Sequence, residues 1–121
     1  MTGRAHRTAL AYHEAFASRD LDKVMSYIAD DIVCDAPAGR IEGAAAYREF
    51  IGPFLRILQS ASLIAAFGDD ETAVVVYDTR TVPVPSAPGA ECVTVRDGRI
   101  TYSRFIFDRV PFAEARAAAT S

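Results

Sequence analysis

The sequence predicts an α+β fold: a cone-shaped, curved antiparallel sheet with three helices of the N-terminal half packed over it, enclosing a pocket. Three observations predict it. Apolar residues recur at helical spacing in most of the first 58 positions; from residue 60 onward short β-branched runs alternate with turn signals; and this segregated order, helices before a meander, places the helices on one face of the sheet. With 121 residues and 50% hydrophobic content, one domain over residues 1–121 can bury roughly two thirds of its unfolded surface without metals or disulfides.

Taking the elements in order, residues 3–18 put Ala5, Ala9, Tyr12 and Phe16 on one face, opposite Arg4, Arg7, Glu14 and Ser18, which makes an amphipathic helix. Asp20 is a favoured N-cap, and Leu21, Val24, Met25 and Ile28 continue into a second helix ending near Asp30 and Asp31. IVCDAP (32–37) predicts a short strand stopped by Pro37, and AGRIEG a loop whose Gly43 opens a third helix. There Tyr47, Phe50, Ile51, Phe54, Leu55 and Leu58 keep a helical period across Gly52 and Pro53, so a kink or fresh start is expected at the proline. SASLIAAF, TAVVVYDTRTV, AECVTV and RITYSRFIF are four strands, joined by the turns GDDE and RDGR and by PVPSAPG (83–89), whose three prolines predict a stiff loop. VPFAEARAA forms a last short helix.

The net charge of −3 argues against a sequence-independent hold on nucleic acid, which requires a basic stripe. Cys34 and Cys92 lie far apart without a CxxC pair and read as packed thiols, which suits a reducing cytoplasm. Only two histidines accompany them, so no metal site and no cofactor are expected. The N-terminal apolar stretch is broken by His13 and Glu14, and no run is long enough to span a membrane, so neither a secretory signal nor a membrane association is expected.

Three stretches, AYHEAFASRDLDKVMSYIADDIVCDAP, GAAAYREFI and VRDGRITYSRFIFDRVPF, resemble the nuclear transport factor 2-like superfamily in its SnoaL-like, ketosteroid isomerase-like and limonene epoxide hydrolase-like branch. The resemblance covers almost the whole chain. It implies a cofactor-independent acid–base enzyme on a small apolar molecule, by cyclisation, isomerisation or epoxide opening; the alternative is a non-catalytic ligand-binding or dimerisation module, because this fold hosts many functions.

Acid–base work in such a pocket needs a few ionisable groups held dry. Asp108 ends the aromatic run FIFD, and either it caps the helix that follows or it faces the cavity. The resemblance implies the second, since the Asp ending this strand is the acid or base in the SnoaL-like cyclases and the epoxide hydrolase-like enzymes. Asp78 and Arg80, two apart on one strand, share a face, although their order is the reverse of the epoxide hydrolase-like pair. The other face of that strand, Val75, Tyr77, Thr79 and Thr81, could equally point inward. Tyr12 matches the isomerase tyrosine that donates to the steroid oxyanion. In the same register the general base falls on Ala36, with Asp35 one residue earlier, and the second acid on Glu91. Asp108, Asp78, Arg80, Tyr12 and Asp35 are thus the catalytic candidates, and His13, Phe16, Tyr27, Phe54, Glu91 and Phe105 the expected substrate contacts. β-Branched residues on both faces of YDTRTV and AECVTV add the expectation of a homodimer through the sheet.

Overall fold

The computed structural model describes residues 3–120. Helix α1 (Arg4–Ala17) is followed by α2 (Leu21–Met25), β1 (Ile28–Ala36), β2 (Gly39–Glu42), α3 (Ala44–Ile57), β3 (Leu58–Gly68), β4 (Thr72–Thr81), β5 (Ala87–Arg96), β6 (Arg99–Phe107) and α4 (Val110–Thr120). The strands form one six-stranded sheet in the order β2-β1-β6-β5-β4-β3, curved and unclosed. The four-strand meander is antiparallel as expected, but β1 joins it in parallel beside β6, which makes the sheet mixed. Register shifts within β3, within β1 and between Thr94 and Val95 bend the strands, as bulges do, and open the concave face under which α1 and α3 pack.

Three boundaries differ from those expected. The second helix stops at Met25, because Ile28, Ile32 and Cys34 are wanted on the concave side of the sheet and β1 begins at Ile28. A helical and an extended spacing are hard to tell apart over so few residues. AGRIEG is not a loop: residues 39–42 pair with β1, and Arg40 closes the hairpin with two hydrogen bonds to Asp35. The proline-rich segment yields a strand from Ala87, earlier than expected, because Asp78 accepts the Ala87 amide and fixes the start of the ladder. Helix α3 runs through Pro53, which is exposed, and does not restart there.

The turn between β3 and β4 does more than reverse the chain. Its Asp69 carbonyl accepts from Ala5 and His6 and its Asp70 carboxylate from the Arg4 amide, satisfying the first amides of α1. A Cβ on Gly3 would lie about 2.0 Å from the Asp69 backbone, so only glycine lets the helix start against this turn.

Candidate functional site

Alternation along the strands decides which side chains face α1 and α3. On β4 the inward set is Ala73, Val75, Tyr77, Thr79 and Thr81, all buried; on β5 it is Ala87, Gly89, Glu91, Val93 and Val95. The pairing sets these in rows: Thr79 beside Ala87, then Tyr77 beside Gly89 and Phe107, then Val75 beside Glu91 and Phe105. Above them α3 lowers Phe50, Ile51 and Phe54 at helical spacing, and Phe16 comes from α1. Between the sheet and these helices lies a cavity of about 180 Å³, and Phe112 of α4 closes one side by packing edge-on against Phe54 and Phe107. Its lining carries no charged residue; Tyr77 and Thr79 bring its two hydroxyls.

One strand row beyond this cavity the apolar interior is interrupted. Glu91 is 1% exposed, accepts a hydrogen bond from the Ser103 hydroxyl at 2.5 Å and is also bonded by Tyr12. The Tyr12 hydroxyl in turn bonds that of Tyr47 on α3, and both tyrosines are fully enclosed. Burial pushes the Glu91 carboxyl up to about 7, although the bonds from Ser103 and Tyr12 pull it back. Burial also raises Tyr12, Tyr47 and Tyr77, with the nearby Glu91 charge as the next cause. Cys34, on β1 beside Ser103, is driven to about 12 by burial and by Glu91, so it is an inert thiol wall of this cluster. The cluster is therefore a network of proton-bearing oxygens that keeps its acid neutral up to about neutral pH.

The other candidates lie elsewhere. Asp108 does not face the cavity: it is exposed, and its carboxylate accepts the Val110 amide at 2.9 Å, which caps α4. Helix capping takes the carboxylate outward, away from the Phe105 and Phe107 side. Asp78 and Arg80 occupy the convex face, opposite Tyr77 and Thr79; Asp78 binds Ser86 and the Ala87 amide, while Arg80 is exposed. Asp35 likewise faces outward, because β1 alternates regularly from Val33 and gives the inward place to Cys34. There the Arg40 hydrogen bonds first, and that from Tyr102 next, hold the Asp35 carboxyl near 2. Tyr27 is half-buried at the rim beneath Lys23 and does not line the cavity. His13 is buried against Phe16 and Tyr77, outside the lining, and burial lowers its pKa.

Phe16, Phe54 and Phe105 do meet in the cavity, and Tyr12 and Glu91 meet behind it. Tyr47, Gly89 and Phe112 have no place among the sequence candidates, and Tyr77 enters only on the strand face that could equally point inward, which is the face the structure turns to the cavity. The alternation Ala87, Gly89, Glu91, Val93 carries the signal that could have found the cluster, since it sets one carboxylate on an otherwise apolar strand face. Exchanging Asp108 for alanine should cost α4 about 1 kcal/mol, visible as lost helical circular dichroism.

Residues 9–103 match the family model of the SnoaL-like domain. The chain belongs to that family. Among solved structures, a protein from Kribbella flavida DSM 17836 is 58% identical, with a TM-score of 0.93 and coverage of 96% of each chain. A candidate ketosteroid isomerase from the same organism superposes with a TM-score of 0.74 at 17% identity, over 87% of this chain and 78% of that one. A candidate polyketide cyclase from Sinorhizobium meliloti gives 0.72 at 20% identity, over 82% and 93%. The last two share the fold with this SnoaL-like domain. No curated protein sequence matches it. Among the described residues no helix is long and apolar enough to cross a membrane.

Proposed function

We propose that this SnoaL-like domain takes a small, mostly apolar molecule into the aromatic cavity and performs cofactor-independent acid–base chemistry on an oxygen it carries, with Glu91 and Tyr12 as the proton-donating pair. The observation that carries the reading is a carboxyl group held neutral one strand row from the cavity. A neutral carboxylic acid and a tyrosine can each donate a hydrogen bond to an oxygen as negative charge develops on it, and a dry site strengthens both bonds. The fold shared with a candidate ketosteroid isomerase and a candidate polyketide cyclase supports the reaction class. Ala36, at the place of the isomerase's base, accepts no proton. Polarisation of an oxygen from the Glu91 side is then the step this chain retains.

A second reading, binding without turnover, is favoured by the sealing of Glu91 from the cavity. A panel of enones, epoxides and polyketide-like ketones separates the two. Under the first reading the parent protein turns over at least one compound, and Glu91→Gln slows it by roughly 100-fold or more. Binding without turnover supports the second, and a panel that neither binds nor reacts sinks both.

The convex face supports a homodimer. Phe67 and Ile106 are 68% and 53% exposed there, beside half-buried Val74, Val76, Ala90 and Cys92. Sedimentation at micromolar concentration should show twice the 13.1 kDa chain mass, and Ile106→Asp should shift it toward the monomer; a parent that sediments only as a monomer overturns the dimer.

A further inference from the structure

We propose that the cavity selects a neutral, single-ring molecule that presents one oxygen to the Tyr77 hydroxyl. The inference rests on the reading of the cavity as a ligand site and adds the ligand class and the residue that orients it. Size sets the first limit. A cavity of about 150 Å³ in another protein holds one benzene, so about 180 Å³ here encloses one ring with a short substituent, and most of a four-ring skeleton would be left outside it. Charge sets the second. The lining has no cationic side chain; beyond it lie the Glu91 carboxyl and His13, which packs on Phe16 and Tyr77 and whose pKa burial lowers, so an anionic ligand would be desolvated without a charged partner.

The oxygen is placed by elimination between two hydroxyls. Thr79 spends its proton on the Ala87 carbonyl at 2.9 Å. Tyr77 packs its ring against His13 and Phe16, and its hydroxyl is not among the buried polar atoms left without a partner: although the residue is 6% exposed, the hydroxyl opens on the cavity. A hydroxyl open to a cavity bonds whatever fills it, water or ligand. A ligand oxygen takes the place of that water at the end of the cavity that adjoins Glu91. The ring faces of Phe16, Phe50 and Phe54 supply the flat apolar contacts.

The test uses isosteres. Acetophenone and cumene have nearly the same shape, and only the first has an oxygen; benzoate adds a negative charge, and a four-ring steroid ketone adds size. Titrations followed by NMR should show both small neutral compounds binding to the parent protein, acetophenone roughly tenfold tighter, a margin typical of one net hydrogen bond. Tyr77→Phe should erase that margin and leave cumene unchanged. If acetophenone and cumene bind equally to the parent, the role of Tyr77 is overturned while the cavity remains a ligand site. If benzoate or the steroid binds as well as acetophenone, the ligand class is overturned. If none of the four binds, the ligand-site reading itself fails and this inference falls with it.

Discussion

Replacing Glu91 by glutamine should make the protein more stable above pH 8, by about 3 kcal/mol, and should flatten the fall in stability between pH 4.5 and pH 7. The carboxyl's ordinary value is 4.5 and burial carries it to about 7 in the folded chain. An acid whose folded value is raised binds its proton more tightly in the native state than in the unfolded one. Its contribution is therefore fully present below 4.5 and is lost as the pH rises through the folded value. Each pH unit of difference is worth about 1.4 kcal/mol, which sets the scale. Glutamine keeps the shape and an acceptor for Ser103 while removing the ionisation, and other titrating groups cancel in the comparison. Denaturant unfolding of both proteins from pH 4 to pH 9 measures the difference. A parallel pair of curves would mean that Glu91 reaches water, and the proposed proton donor would lose its basis.

How much of this was legible follows from the length scale of each signal. The meander, α1 and the start of α3 were written in periodicities that repeat several times, and the structure has them. The second helix and β1 were confused because Val24 and Ile28 satisfy a helical spacing while Ile28 and Ile32 face the sheet's concave side, and a stretch so short does not separate the two. Strand β2 depends on the cross-strand partner Asp35 for Arg40, and no local pattern encodes that. The site was harder. Asp108, at the end of an aromatic run, fits both a helix cap and a cavity acid from sequence alone; a carboxylate two residues before a free helical amide is satisfied locally, and that is the contact the structure has. Tyr12 and Glu91 were each visible singly. Their meeting with Tyr47 and Ser103 draws on four elements, which single-chain spacing does not bring together.

Filling the cavity from the sheet side should remove ligand binding while leaving the fold intact. Gly89 sits in its floor, in the row with Tyr77 and Phe107, and the backbone there is not in the left-handed region. An added Cβ would lie 3.1 Å from the Ile106 carbonyl oxygen and 3.5 Å from the Tyr77 ring, so a side chain fits only by projecting into the open space. Valine at this position occupies the volume a ring would take, and its β-branching suits a strand. Overpacking costs about 1–3 kcal/mol, which a folded domain can carry. Ala87→Phe, from the adjacent inward position, tests the same point without touching the Ile106 contact. Cumene binding should disappear in both variants while the circular dichroism stays that of the parent. Retained affinity in two folded variants would place the ligand outside this cavity, and the roles given to Tyr77 and Glu91 would go with it.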